Sequence, residues 1–128
     1  MKLLLALSTV LLGTTVYAAP SNDFLGDCVM HIYVGESLFE DRIHVEKDKS
    51  GAYTGTLIVP DRFQAPIEHV SVKSNHLIFE ITGNEGHGPF RVRYDGTFHA
   101  PDTFTGVGTL LDTGKLLGGF VGQKSIRK

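Results

Sequence analysis

Along most of the chain, apolar and polar residues alternate in short runs. The clearest run is His76–Thr82, and after the glycine-rich segment Gly83–Gly88 a second run follows in Pro89–Gly96. A period of two residues with one apolar face and one polar face is typical of a sheet that is dry on one side and wet on the other. The stretch His76–Gln123 therefore predicts four successive strands joined by short turns.

The same alternation extends over the rest of the chain, and no segment has a helical period. The predicted strands are Asp27–Val34, Leu38–Lys47, Ala52–Val59, Gln64–Lys73, His76–Thr82, Pro89–Gly96, Thr103–Leu111 and Lys115–Lys124. Asp48–Gly51 has the composition of a hairpin turn, because glycine can adopt a positive φ. Apolar residues in Gln64–Lys73 do not follow one strict alternation, which predicts a bulge near Glu68 and His69.

About eight short strands at regular spacing predict an all-β fold. Because the connections are short, strands adjacent in sequence should pair in space, which gives an up-and-down antiparallel order. Closing such a sheet into a barrel removes its exposed edges. We therefore expect a single β-barrel, with a two-sheet β-sandwich as the alternative.

The N-terminus has the pattern of an export signal. Met1–Ala18 combines a basic residue, an apolar run and a small-residue cleavage site, and the run is too short to span a bilayer comfortably. We predict a signal peptide over 1–18, an irregular leader over 19–26 and a β-barrel domain over 27–128. The roughly 110 residues after the signal suffice for one core. The expected location is the periplasm or the extracellular space.

Charge and cysteine content restrict the partners. The formal net charge is −2, and basic residues do not cluster except at the C-terminus, which argues against nucleic acid and against a stable membrane anchor. The single cysteine, Cys28, cannot form an internal disulfide. It fits a small apolar residue of the first strand, and the alternatives are a reactive thiol or a disulfide-linked dimer. We expect a monomer.

Motifs for metal binding and catalysis are absent from the sequence. The six histidines do not have the spacing of known zinc sites, and no nucleophile elbow or phosphate-binding loop occurs. The carboxylates Glu80, Asp95 and Asp112 fit solvated positions on the outer face or in turns. We therefore predict no metal site, no cofactor and no catalytic residues, and the chain is not expected to be an enzyme.

Short signatures, four of the five with glycine, repeat through the predicted strands. They are Gly51-Ala-Tyr-Thr-Gly-Thr-Leu57, Leu77-Ile-Phe79, Tyr94-Asp-Gly-Thr-Phe98, Phe104-Thr-Gly106 and Gly118-Gly-Phe120. This pattern resembles small lipocalin-like (calycin-type) barrels and is similar to exported bacterial modules. The resemblance implies a barrel that serves as a carrier, a protease inhibitor or an accessory module, since such folds host several functions.

The predicted inner face carries the candidate binding residues. They are Asp41, Tyr53, Phe79, Phe90, Tyr94 and Phe120. They could surround one small apolar ligand, with Asp41 and the tyrosine hydroxyls orienting it, or they could fill a solid core. The first alternative predicts a non-catalytic exported barrel that binds a small apolar ligand in or at its mouth.

A second function remains open. The proline-flanked loop Pro60–Pro66 contains Arg62 and Phe63, which could contact a protein partner. Together with the leader Ala19–Gly26, this loop would suit a periplasmic protein-interaction module such as a protease inhibitor.

Overall fold

The computed structural model describes residues 24–84, 86 and 88–125. Within these residues the chain forms nine β-strands. They are β1 Gly26–Val34, β2 Ser37–Lys47, β3 Tyr53–Val59, β4 Phe63–Pro66, β5 Glu68–Lys73, β6 His76–Asn84, β7 Pro89–His99, β8 Thr103–Leu110 and β9 Leu116–Lys124. No helix among the described residues is long and apolar enough to cross a bilayer. The predicted signal peptide Met1–Ala18, and the leader up to residue 23, lie outside the described residues.

All nine described strands belong to one antiparallel sheet in the order β4-β3-β2-β1-β9-β8-β7-β6-β5. Each strand pairs with its neighbours in sequence, except that β4 does not pair with β5. In addition, β1 pairs with β9. The result is a nearly closed up-and-down barrel, as predicted. The sandwich alternative is wrong, since the described strands form a single sheet.

The two strands at the ends of this order, β4 and β5, are consecutive in the chain. Ile67 alone separates them, and its amide donates a hydrogen bond to the carbonyl of Gly55 in β3 at 3.0 Å. The strand predicted over Gln64–Lys73 therefore changes partner midway, from β3 to β6. This split accounts for nine strands where the sequence predicts about eight.

The predicted bulge is confirmed in β5. The pairing of β5 with β6 shifts register between Glu68 and Ser71, and His69 has a φ of 50°. The extra residue bends the strand at the point where the barrel closes. The predicted hairpin turn at Asp48–Gly51 is confirmed as well, because the amide of Gly51 donates to the carbonyl of Asp48 at 3.0 Å.

Side chains from several strands fill the middle of the barrel interior. Met30, Leu57 and Phe79 are fully buried there, and they come from β1, β3 and β6. The barrel has one end on each side of this layer. We call the end that contains Phe90 and Leu110 the open end, and the end that contains Phe24 and Phe98 the closed end. The candidate site lies at the open end.

Candidate functional site at the open end

A cavity of about 150 Å³ lies inside the open end, and we call it the mouth cavity. Most of its wall is aliphatic or aromatic, and its polar side chains are Asp41, Arg62 and Tyr94. An engineered protein cavity of about this size stays dry and admits benzene. The mouth cavity is thus large enough for one small aromatic molecule and smaller than the usual site of a drug-sized ligand.

The floor of the mouth cavity contains a buried polar pair. Asp41 and Tyr94 are each 3% exposed, and the Tyr94 hydroxyl donates a hydrogen bond to Oδ2 of Asp41 at 3.2 Å. Burial raises the pKa of Tyr94 well above its ordinary range, and the charge and hydrogen bond of Asp41 raise it further. The hydroxyl therefore keeps its proton and remains a donor. A buried carboxylate is costly without such partners.

Two phenylalanine rings hold the ring of Tyr94 in place. Phe79 stacks on it with centroids 5.0 Å apart and an interplanar angle of 11°, and Phe120 lies at 5.9 Å on a tilted plane. Aromatic contacts of this kind stabilise the folded protein by more than their buried area alone accounts for. Because Phe79 and Phe120 are buried beneath the cavity, they support the floor and do not line the wall.

The rim of the mouth cavity is aromatic. Phe63 of β4 meets Phe90 of β7 edge to face at 5.6 Å. Gly83 of β6 makes room for them, because a Cβ at this position would lie 2.6 Å from Phe90 and 2.9 Å from Phe63. Across the rim, the guanidinium of Arg62 lies 4.8 Å from the ring centroid of Phe39, which is the geometry of a cation–π contact.

The structure divides the predicted ligand-binding residues into three groups. Asp41, Phe90 and Tyr94 line the mouth cavity, and Phe79 and Phe120 pack below it. Tyr53 lies at the start of β3, opposite Lys47, whose ammonium is 5.0 Å from its ring. Tyr53 therefore takes no part in the mouth cavity.

The residues predicted to bind a partner, Arg62 and Phe63, also line the mouth cavity. Phe39, which the alternation of β2 predicts on the inner face with the other aromatic residues, lines the mouth cavity as well. Leu117 also lines it, and sequence reasoning did not assign this residue to the site. The alternation could not have found it, because the register between β8 and β9 shifts between Gly108 and Thr109.

The closed end differs from the open end. Phe24, just before β1, is buried there and packs edge to face on Phe98 at 5.8 Å and on Phe104 at 6.1 Å. Only about 20 Å³ remains beneath it, next to Cys28. Burial raises the pKa of the Cys28 thiol to about 11, although Lys124 opposes the shift. The thiol is therefore protonated at neutral pH.

Ion pairs cover part of the outer wall. Glu80 accepts hydrogen bonds from Arg91 at 3.0 Å and from Arg93 at 3.2 Å, and it is only 9% exposed. The prediction that Glu80 is solvated is thus wrong, because two arginines of the neighbouring strand cover it. His76 contacts Asp95 nearby. The described residues contain no group of three or more histidine, cysteine or acidic side chains that could hold a metal ion.

Another part of the outer wall is apolar. Tyr33, Leu38, Val107 and Val121 are between 40% and 60% exposed, and they surround a shallow groove over β1, β2, β8 and β9. We call these four side chains the wall strip. Strand pairing brings them together, because Tyr33 lies opposite Leu38. Val121 lies opposite His31 and Thr105, which are two residues from Tyr33 and Val107 respectively.

Comparison of the chain with profiles of known protein families, with curated proteins and with solved structures gives no match.

Proposed function

We propose that this protein is a non-catalytic, exported barrel of the lipocalin-like type that binds a small apolar molecule at its open end. The observation that carries the proposal is the mouth cavity of about 150 Å³. An apolar wall with a few polar groups at fixed positions is the usual composition of small-molecule sites.

The chemistry of the polar groups favours binding over catalysis. A nucleophilic side chain has to lose its proton, which a lowered pKa favours. The Tyr94 hydroxyl holds its proton because of burial and the charge of Asp41, and the Cys28 thiol lies at the closed end with a raised pKa. Both groups keep their protons, which suits a binding site rather than a catalytic one.

The sequence supports the remaining parts of the proposal. The signal-peptide pattern of Met1–Ala18 supports export to the periplasm or the extracellular space. The repeated glycine signatures and the up-and-down barrel suit a lipocalin-like carrier.

Native mass spectrometry of the protein, purified without detergent, tests whether it carries a ligand. We expect a discrete additional mass that is lost on denaturation. Titration with toluene, followed by NMR, then tests the site, and we expect shifts at amides around Val92 and Leu110.

Two neighbouring leucines provide a matched pair of variants. Leu117 lines the mouth cavity, whereas Leu116 is 62% exposed on the outside. We expect Leu117→Trp to fill the cavity and abolish toluene binding, and Leu116→Trp to leave it unchanged. Equal binding by both variants would place the ligand elsewhere and refute the proposal.

A second candidate is a protein-interaction module, and the wall strip is the observation that favours it. Exposed apolar groups that lie together often mark contact surfaces. The partner that can be tested directly is a second copy of the chain, by sedimentation at rising concentration. A dimer that Val121→Ser abolishes and Ile58→Ser preserves would favour this function, since Ile58 is exposed outside the strip. A monomer at all concentrations would count against self-association.

A further inference from the structure

The rim of the mouth cavity contains two aromatic rings that are nearly at right angles. Phe63 and Phe90 both line the cavity, their ring planes differ by 84°, and their centroids lie 5.6 Å apart. We call these two rings the aromatic corner. Both side chains are half-buried, so the protein covers only part of each. A third flat ring that lies parallel to one of them is therefore nearly perpendicular to the other.

Both of these arrangements are favourable for aromatic rings. The face of a ring carries partial negative charge and its edge carries partial positive charge, so rings attract each other when they are parallel and offset or when they meet edge to face. A saturated group of the same size lacks this charge distribution, and dispersion is its main attraction to the rim. The aromatic corner thus suits an aromatic ring better than an aliphatic group.

The polar side chains of the mouth cavity have contacts elsewhere in the protein. The Tyr94 hydroxyl donates to Asp41 at 3.2 Å, and the guanidinium of Arg62 lies 4.8 Å from the ring centroid of Phe39. Neither of these two contacts uses a ring of the aromatic corner. Binding at the corner therefore requires no polar group on the ligand.

The depth of the mouth cavity limits the size of the ligand. Its volume of about 150 Å³ admits one ring of roughly the size of benzene. Below the cavity, Phe79 stacks on Tyr94, and Met30 and Leu57 are fully buried in the middle layer. Among the described residues, these packed side chains block the path of a long acyl chain along the barrel axis.

We propose that the ligand of the mouth cavity contains a single aromatic ring, which packs in the aromatic corner. The bound ring lies parallel to one of the rings of Phe63 and Phe90 and meets the other edge to face. This inference rests on the proposed function and adds the chemical class of the ligand.

Toluene and methylcyclohexane test the inference, because they share one carbon skeleton and only toluene is aromatic. Each is titrated into the unaltered protein and into Phe90→Leu, which keeps the rim apolar but removes one ring, and binding is followed by NMR. The two ligands also differ in their affinity for water, but this difference cancels when the ratio of their dissociation constants is compared between the two proteins. We expect Phe90→Leu to weaken toluene binding, relative to methylcyclohexane binding, by roughly threefold or more, since one aromatic pair is lost.

Two further variants locate the source of this effect. Phe63→Leu should reproduce it, and this variant serves if Phe90→Leu fails to fold. Tyr33→Leu removes a ring that is 60% exposed on the outer wall, so it should leave the ratio unchanged. In the unaltered protein, bound toluene should show nuclear Overhauser effects to the ring protons of Phe63 and Phe90.

Each outcome has a distinct meaning. If neither toluene nor methylcyclohexane binds, the proposed function fails together with the inference. Binding of toluene alone supports the inference. If methylcyclohexane alone binds, or if the leucine variants of the aromatic corner weaken both ligands equally, the mouth cavity is a ligand site but the aromatic inference is overturned.

Discussion

At the scale of single residues, Asp41 is a buried carboxyl group on the otherwise dry inner face of β2. Enclosing a carboxyl group in an apolar interior costs free energy, and the hydrogen bond from the Tyr94 hydroxyl offsets part of that cost. An apolar residue at this position of β2 would complete the dry face between Phe39 and Ile43. A residue that is unfavourable for the core and lies in a cavity is expected where binding requires it.

The reactivity of Cys28 provides a prediction at this scale. Because burial raises the thiol pKa from 9.0 to about 11, the thiolate fraction at pH 8 falls roughly 100-fold, and the thiolate is the reactive form. We expect alkylation by iodoacetamide, followed by mass spectrometry, to be roughly 100-fold slower in the folded protein than in urea. A folded-state rate within a few fold of the rate in urea would show that the thiol is exposed and activated.

His44 provides a prediction about pH. Its Nδ1 lies 2.7 Å from Asp27 and its Nε2 lies 2.8 Å from Glu46, and these hydrogen bonds raise its pKa above 6.5. The folded state therefore favours the imidazolium, so the stabilisation is complete below the unfolded pKa and is lost as the pH rises through the folded value. We expect urea unfolding to show that His44→Gln lowers the free energy of unfolding more at pH 5.5 than at pH 8.5.

The carboxylates near His44 allow a control. In the double variant Asp27→Asn, Glu46→Gln, an NMR titration should return the pKa of His44 towards 6.5. If the pKa stays raised in this variant, the two carboxylates are not its cause.

At the scale of elements, the alternation of apolar residues was enough to locate the strands. It placed β2, for example, within one residue of its observed start and at its observed end, Lys47. Alternation reports which face is dry, but it does not report register between strands. For this reason the sequence could not show that Arg91 and Arg93 cover Glu80, or that Leu117 enters the mouth cavity while Leu116 stays outside.

The candidate site was predictable only in part, for the same reason. The alternation of residues in a strand predicts that Asp41 and Tyr94 lie on the inner face, and both line the mouth cavity. Tyr53 also falls on the inner face, but it lies at the end of β3 away from the mouth cavity. The distance of a residue along the barrel axis depends on strand stagger, which the hydrogen-bond register fixes.

A pair of glycines in β9 provides a prediction at this scale. A Cβ at Gly118 would lie 1.6 Å from the carbonyl oxygen of Tyr33, whereas a Cβ at Gly119 would meet nothing nearer than 3.7 Å. We expect Gly118→Ala to displace the backbone of β1 and cost about 1–3 kcal/mol of stability. Gly119→Ala should be neutral or slightly stabilising, because glycine is unfavourable within a strand.

Urea unfolding of the two alanine variants measures this difference. The adjacent position and identical substitution make Gly119→Ala a matched control. Equal stability of the two variants would mean that β9 does not approach β1 as closely as the structure shows.

At the scale of the whole molecule, the barrel has two unequal ends. The fully buried side chains Met30, Leu57 and Phe79 form a solid middle layer. On one side of this layer the mouth cavity remains, and on the other side Phe24 occupies the space. The two alternatives for the interior, a lumen and a solid core, thus each describe one part of the same barrel. In the proposed function, the open end binds the ligand while the packed closed end contributes stability.

Phe24 provides the prediction that tests this division. It is 8% exposed and packs on Phe98 and Phe104, so Phe24→Ala should cost about 3 kcal/mol in urea unfolding. Leu25→Ala, at the neighbouring residue that is 37% exposed, should cost less than about 1 kcal/mol. Because the middle layer separates the ends, both folded variants should bind toluene at the mouth as the unaltered protein does. A Phe24→Ala variant that stays folded but loses binding would show that the ends are coupled, and the barrel would then act as one continuous cavity.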